Sequence, residues 1–183
     1  HAAPRIASLA PSGRSHFGSR TLNKCPALVS PGFEHYGAMA AARLKDIFAP
    51  GKVGVITGAS SGIGKAVAEH CATLGMKVFM ADVDEEELHA ASKVVQSVAA
   101  SPDLVVPVTT DVADPQALEA LKEKAFAVNG AVNFLMNNAG VGAGGGALAP
   151  LESWHKTIDV NTWGPIHGCQ AFVPMMQKSG APG

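Results

Sequence analysis

Residues 57–64, Thr-Gly-Ala-Ser-Ser-Gly-Ile-Gly, have the types and the spacing of a turn that holds phosphate. They follow the apolar run 53–56 and precede a stretch with helical periodicity. At such a strand-to-helix corner, backbone N–H groups and the positive end of the helix dipole attract an anion. Gly58 would allow the sharp turn, Gly62 would let a ligand approach the backbone, and Gly64 would let the helix pack closely on the strand. The predicted phosphate-site residues are Gly58, Ser60, Ser61, Gly62, Ile63 and Gly64.

The spacing of this turn narrows its interpretation. It is Gly-x-x-x-Gly-x-Gly rather than the commoner dinucleotide pattern Gly-x-Gly-x-x-Gly. A Walker A motif is excluded, because its first glycine would fall on Ala59 and its metal-binding hydroxyl on Ala66. Taken alone, the turn is also compatible with a loop that only needs glycine.

A carboxylate supplies the second signal. Asp82 ends the apolar run 78–81, 18 residues beyond Gly64, where it could accept hydrogen bonds from a ribose 2′-OH. Its charge would repel a 2′-phosphate, and neither the next two residues, 83–84, nor the turn at 60–61 contains Lys or Arg, so NAD is favoured over NADP. The alternative is that Asp82 or Asp84 only caps the next helix. Asp84 and Glu87 already form a capping box, which would leave Asp82 available.

The third signal is Asn-Asn-Ala-Gly at 137–140, directly after the apolar run 132–136. An Asn side chain can both donate and accept hydrogen bonds, and the short Ala and Gly residues let a ligand lie against the backbone. Taken alone, however, the segment is also compatible with an ordinary turn. Together with 57–64, Asp82 and the pair Asp111-Val112, it resembles the short-chain dehydrogenase/reductase family in order and spacing. The resemblance runs from about residue 50 onwards and covers the family's N-terminal, cofactor-binding portion. It implies cofactor contacts by Asn138, Ala139 and Gly140.

The resemblance also implies roles for three further residues. Asp111 and Val112 would lie beside adenine, with Asp111 contacting its amino group; a structural aspartate that caps the adjacent loop is the alternative. Asn161 would take the catalytic role of the family's Asn, whose backbone and side chain hold a water in a proton relay. Its alternative is a helix Asn that only satisfies neighbouring carbonyls.

The family's remaining catalytic groups have no match in this sequence. They are a Ser on the fifth strand and a Tyr-x-x-x-Lys pair, and the sequence ends at 180–183, where the fifth strand should start. The only tyrosine, Tyr36, is followed four residues later by Ala40. We expect the intact protein to be an NAD(P)-dependent oxidoreductase that moves hydride between nicotinamide and a small-molecule alcohol or carbonyl. This chain alone should be inactive; the alternative is a non-catalytic nucleotide-binding module or an inactive truncated partner.

Four short apolar runs, at 53–56, 78–81, 104–108 and 132–136, alternate with helical stretches. This pattern predicts an α/β fold with a doubly wound parallel sheet (a Rossmann fold), truncated after the fourth strand and fourth long helix. The strand order should be 3-2-1-4, which puts Pro107 on an edge strand, where its missing N–H is tolerated. The predicted buried stripes are Ile63, Val67, Cys71 and Leu74; Leu88, Ala91, Val95 and Val98; and Leu118, Leu121, Ala125 and Val128.

Composition excludes several function classes. With 183 residues and a net charge of −1, the chain has no electrostatic case for nucleic acid, and no apolar run approaches a membrane span. The 7 His and 3 Cys residues lack metal-ligand spacing, so no metal site is predicted. The resemblance implies a homo-oligomer of the intact protein through its fourth and fifth helices. The apolar residues that would suit that contact, or would simply face the sheet, are Ile166, Phe172, Val173 and Met176.

Two segments divide the chain. Residues 50–183 form the expected NAD(P)-binding domain, and residues 1–38 are expected to be a disordered leader or a transit peptide, since they hold Arg and Ser but no acid before Glu34. Met39 could instead be the true start. We expect a cytoplasmic protein, with a mitochondrion or plastid as the alternative if the leader directs import.

Overall fold

A computed structural model describes residues 44–142 and 144–183. The predicted leader, Tyr36, Met39 and Cys25 lie outside the described residues, so the predictions made for them stay predictions.

The described chain alternates strands and helices around one parallel sheet. The strands are β1 (Val53–Thr57), β2 (Lys77–Asp82), β3 (Val105–Thr109) and β4 (Phe134–Met136). The helices are α1 (Gly62–Thr73), α2 (Glu85–Val98), α3 (Pro115–Phe126), α4 (Leu151–Ile158) and α5 (Gly164–Ser179), with a π-helical segment (Asp159–Trp163) between the last two. All three strand pairs are parallel and the order is β3-β2-β1-β4, which confirms the prediction.

Pro107 lies on the edge strand, as predicted. Within the described sheet β3 pairs with β2 alone, and Pro107 stands opposite Met80 in that register. A residue without an N–H is tolerated there because one side of an edge strand makes no ladder. The position of this proline therefore agrees with the strand order.

The central strands are buried on both faces, which explains why their apolar runs are unbroken. On β1, Val53 and Val55 point to a core shared with α3 and α5, whereas Ile56 points to a core shared with α1 and α2. On β2, Phe79 belongs to the first core and Met80 to the second. This two-sided packing confirms the doubly wound arrangement.

The predicted helical stripes are wrong at their ends. Ile63 is 71% exposed, and Leu74, Val98 and Val128 are also exposed, although the inner members of each stripe are buried or half-buried. Ile63 lies in the first turn of α1, Val98 ends α2, and the other two follow the last residues of their helices. Periodicity marks the core-facing side of a helix but does not show where the helix passes beyond the sheet.

Local signals for helix ends are confirmed. Asp84 caps α2, its Oδ1 accepting from Glu87 N at 2.9 Å, and Asp114 caps α3, with Pro115 in the first helical position. Gly75 and Gly130 follow the helices with φ of +80° and +78°, a conformation that disfavours other residues.

The two cysteines of the described chain should differ in reactivity. Cys71 is buried on α1, where desolvation raises the pKa of its thiol to about 11, whereas Cys169 is exposed on α5. We expect iodoacetamide at pH 8 to alkylate Cys169 and spare Cys71 in the native chain, because the thiolate is the nucleophile.

Peptide mass spectrometry checks this result, with a urea-unfolded sample as the control in which both cysteines react. The free energy of unfolding should also fall as pH rises from 9 towards 11, because the unfolded thiol releases its proton first. Equal labelling of the two native cysteines would contradict the buried position of Cys71.

Candidate functional site

A cleft of about 800 Å³ opens at the carboxyl ends of the strands. The loops after all four strands contribute to it, together with one face of α4. The predicted residues that line it are Gly58, Ser60, Ser61, Gly62, Ile63, Asp82, Asp111, Val112, Asn138, Ala139 and Gly140. Its other lining residues, which sequence reasoning did not select, are Val83, Thr110, Ala113, Val141, Glu152, His155, Lys156, Asp159 and Val160.

The N-terminus of α1 faces the cleft without a capping side chain. Ser61 is the N-cap residue, but its hydroxyl makes no capping hydrogen bond, and the first turn holds no acidic residue. The first N–H groups of a helix have no partner within the helix. Gly62, at φ +53°, has open space where a side chain would stand. The turn can therefore accept an anion close to its backbone.

Gly64 lies behind this turn rather than in the cleft wall. A Cβ at this position would overlap the Gly58 carbonyl oxygen and would lie 2.6 Å from Asn138 Nδ2. Glycine is therefore required for the close approach of α1 to the end of β1, which is the packing role that the spacing indicated.

Thr57 and Asn138 join the ends of β1 and β4. The buried Thr57 hydroxyl oxygen accepts from Asn138 N at 3.0 Å and from Ala139 N at 3.1 Å. In return, Asn138 Nδ2 donates to the carbonyl oxygens of Thr57 at 3.0 Å and of Gly58 at 3.1 Å. We call this set of four hydrogen bonds the Thr57–Asn138 brace.

Sequence reasoning did not select Thr57, although it begins the glycine-rich segment. A buried hydroxyl at the end of a central strand needs hydrogen-bond partners, and that requirement was the available signal.

Asp82 is fixed at the cleft by backbone N–H groups. Its Oδ2 accepts from Ser60 N at 3.0 Å, and its Oδ1 accepts from Val83 N at 2.8 Å and from Asp84 N at 3.4 Å. The predicted capping box is half formed, because Asp84 Oδ1 accepts from Glu87 N whereas Asp84 N donates to Asp82, so Asp82 has structural contacts as well as a place at the cleft. A carboxylate has about four lone-pair sites, so acceptor capacity remains.

Asp111 closes a short turn at the end of β3. Its Oδ1 accepts from Ala113 N at 2.9 Å, and the residue is exposed at the cleft. This contact is the loop-capping role that was the alternative for Asp111. It uses one carboxylate oxygen, so a ligand contact through the other is compatible with it.

Asn161 acts on the loop that follows β4. Its Oδ1 accepts from Val141 N and its Nδ2 donates to Val141 O, each at 2.8 Å. The residue lies in the π-helical segment and does not line the cleft. The partner of its side chain is 20 positions earlier in the chain, so the amide does more than satisfy carbonyls of its own helix.

The described residues offer neither clustered metal ligands nor a membrane-spanning helix. No group of three or more His, Cys, Asp or Glu side chains there could hold a metal ion. In the same part of the chain, no helix is long and apolar enough to cross a bilayer.

This chain is similar in sequence to proteins of one known family. Residues 52–183 match the family model described as short chain dehydrogenase. The 1-deoxy-11-beta-hydroxypentalenate dehydrogenase of Streptomyces avermitilis is 40% identical over 131 residues, which cover 70% of this chain and 47% of that relative. The chain thus spans about half the length of this curated relative.

Two solved structures of similar proteins contain a nicotinamide dinucleotide. A short chain dehydrogenase/reductase from Burkholderia phymatum in complex with NAD is 42% identical, with a TM-score of 0.64, over 69% of this chain and 44% of its own. A metagenomic short-chain oxidoreductase in complex with NADP is 31% identical, with a TM-score of 0.67, over 74% of this chain and 61% of its own.

Replacing Thr57 by Val should destabilise the fold. The substitution keeps the side-chain volume but leaves the N–H groups of Asn138 and Ala139 without their acceptor. We expect the free energy of unfolding to fall by about 1–3 kcal/mol, measured by urea denaturation.

Thr109→Val, on the exposed end of the edge strand, is the matched control and should change stability by less than about 0.5 kcal/mol. Equal effects of the two substitutions would contradict the brace.

Proposed function

The chain belongs to the short-chain dehydrogenase family of oxidoreductases, and from this premise we propose that its cleft binds NAD. The pyrophosphate would lie on the N-terminus of α1, and the adenosine ribose would lie on Asp82. The observation that carries the proposal is the contact of Asp82 Oδ2 with Ser60 N at 3.0 Å, because it holds an acceptor for hydroxyls beside an uncapped helix terminus.

The residues of the α1 turn suit a pyrophosphate. Ser61, Gly62 and Ile63 line the cleft at the positive end of the helix dipole, and the turn itself presents no carboxylate. A side chain at Gly62 would occupy space next to the cleft wall, whereas glycine leaves the backbone accessible. These features support binding of the two phosphates through main-chain N–H groups.

The charges near Asp82 favour NAD over NADP. A 2′-phosphate would meet the Asp82 carboxylate, and the other cleft residues of the β1–α1 and β2–α2 loops carry no positive charge. Among the described residues that line the cleft, the one Lys or Arg is Lys156, on α4. Similar proteins bind either dinucleotide, so these local charges are what support the choice of NAD.

At the adenine end, Val112 would supply an apolar surface and Asp111 an acceptor for the amino group. At the other end, Asn138, Ala139 and Gly140 would contact the ribose and nicotinamide portion. When bound, the dinucleotide supplies a nicotinamide ring that accepts or donates a hydride.

Asn161 would support proton transfer mainly through its position. Its side-chain amide is hydrogen-bonded to both the N–H and the carbonyl oxygen of Val141. The loop also passes close to this amide at Gly140, where a Cβ would lie 3.4 Å from Asn161 Oδ1. The side chain therefore keeps the loop after β4 close to the π-helical segment. A water of the relay would be held by the main chain of Asn161 or by the second Nδ2 hydrogen, which these contacts leave available.

For the protein to which this sequence belongs, we propose hydride transfer between nicotinamide and a small-molecule alcohol or carbonyl. A nucleotide-binding module without catalysis is the second candidate function, since the groups proposed to bind the dinucleotide all lie in the cleft of this chain. Coding sequence downstream that carries a Ser and a Tyr-x-x-x-Lys pair would support the enzyme and exclude the module.

Association of the intact protein through the family's fourth and fifth helices remains a proposal. The fourth corresponds to α4, the π-helical segment and α5 of this chain, and the four apolar residues considered for the contact divide into two groups. Phe172 is fully buried in the core and Met176 packs partly against it, so both face the sheet. Ile166 and Val173 are exposed and are available to a second copy.

Asp82→Ala should weaken NAD⁺ binding by about tenfold or more, because hydrogen bonds to a charged group are lost. Asp82→Asn keeps one acceptor oxygen and removes the charge, so it should lose less NAD⁺ affinity and gain affinity for NADP⁺. Calorimetric titration of the 183-residue chain gives the dissociation constants of both ligands.

Glu86→Gln, an exposed carboxylate in the first turn of α2, is the control and should leave both affinities unchanged. Equal NAD⁺ affinity of the wild type and Asp82→Ala would refute the ribose assignment.

The purified 183-residue chain should bind NAD⁺ without turning over alcohols. The sequence lacks the family's tyrosine general acid/base, and such proton transfer is worth about 10²–10⁴-fold in rate. Absorbance at 340 nm in the presence of NAD⁺ and a panel of alcohols checks this expectation. Hydride transfer above the buffer rate would show that other residues perform the proton transfer.

A further inference from the structure

The segment after β3, residues 110–113, forms one wall of the cleft and is attached to its neighbours at two points. Thr110 N donates to the Asp82 carbonyl oxygen at 2.8 Å, which fixes the start of the segment to β2. The Val112 carbonyl oxygen lies 3.3 Å from His167 Nδ1, which joins the segment to α5. Since a carbonyl can only accept, this contact is a hydrogen bond when Nδ1 carries the proton.

Helix α5 approaches Val112 closely at this point. A Cβ at Gly164 would lie 2.8 Å from Val112 Cγ2 and 3.2 Å from Val112 Cβ, so only glycine allows the observed packing. The Val112 side chain is 7% exposed and belongs to the core shared with α3 and α5. Its place in the cleft wall is therefore set from behind by the first turns of α5.

The His167 ring is itself positioned by an aromatic neighbour. Trp163 stacks on it, with ring centroids 6.0 Å apart and an interplanar angle of 20°. His167 is half-buried and does not line the cleft. The hydrogen bond to Val112 is the contact through which this histidine can act on the cleft wall.

We infer that His167 is a positioning residue for the adenosine end of the cleft: its Nδ1–H holds the Val112 carbonyl and thereby the wall against which adenine packs. This inference rests on the proposed function. Without the hydrogen bond, the peptide after Val112 keeps its Ala113 N–H contact with Asp111 Oδ1 but loses its tie to α5, so Val112 is free to shift relative to the cleft. The apolar contact with adenine would then weaken.

His167→Leu removes the donor, whereas His167→Asn places an amide N–H near the position of Nδ1. We expect His167→Leu to lower the affinities for NAD⁺ and for ADP-ribose by the same factor, about three- to tenfold, because both ligands carry the adenosine end. His167→Asn should restore binding to within about twofold of the wild type. Calorimetry at 15 °C, below the melting temperature of each variant, gives the affinities.

His89→Leu, an exposed histidine on α2, is the matched control and should leave both affinities unchanged. A histidine with a merely structural role would lower the melting temperature of His167→Leu and leave its dissociation constants at 15 °C unaltered; that result overturns the inference. Failure of the wild type to bind either ligand would instead overturn the proposed function.

Gly164→Ala keeps the test decisive if His167→Leu does not fold. The added methyl group would contact Val112 directly. It should therefore lower the affinity for ADP-ribose by a factor similar to that of His167→Leu, although His167 is unchanged. Unchanged ADP-ribose affinity in Gly164→Ala would overturn the inference.

Discussion

The cleft depends on how the carboxyl ends of two neighbouring strands are held together. β1 and β4 pair over only three residues, and beyond that short ladder the Thr57–Asn138 brace replaces main-chain pairing with four hydrogen bonds. Because the brace is buried or half-buried, the loss of any member leaves polar groups unsatisfied. The glycine-rich turn and the Asn-Asn-Ala-Gly segment are thereby held as one wall of the cleft.

Gly64 contributes to the same arrangement by letting α1 start close to the Thr57–Asn138 brace. Asn138 Nδ2 reaches the Gly58 carbonyl only because Gly64 carries no side chain, so α1 begins very close to the end of β1. The same approach aims the uncapped terminus of α1 into the cleft. Asp82 then joins the end of β2 to this turn through Ser60 N. The position of the α1 turn and that of the Asp82 carboxylate are thus coupled through a few main-chain contacts.

The two ends of the cleft are held by a different part of the chain. Asn161 bonds the loop after β4 through both atoms of its amide, and His167 bonds the loop after β3. Both residues come from the single run of helix that includes the π-helical segment and α5. Movement of that run would therefore reach both ends of the cleft, whereas the α1 turn is anchored to the sheet.

Most of the fold could be predicted from local sequence patterns. Unbroken apolar runs and helix caps are patterns of neighbouring residues, so they predict the four strands and the ends of the helices between them. The alternation of strands and helices predicts the strand order, and Pro107 agrees with it because a proline suits an edge strand. The exposed ends of the stripes, such as Ile63 and Val98, could not be predicted, because periodicity contains no information on how far a helix extends past the sheet.

The sequence by itself determined the family, the parallel sheet and most of the residues that meet at the cleft. Only the tertiary structure decided what those residues do there. It assigned the Asn138 amide to the brace, gave Asp82 three backbone donors and directed Asn161 to Val141. The physical reason is that a polar side chain satisfies its hydrogen bonds with whatever packing brings within about 3 Å, and those partners lie up to 82 positions away in the chain.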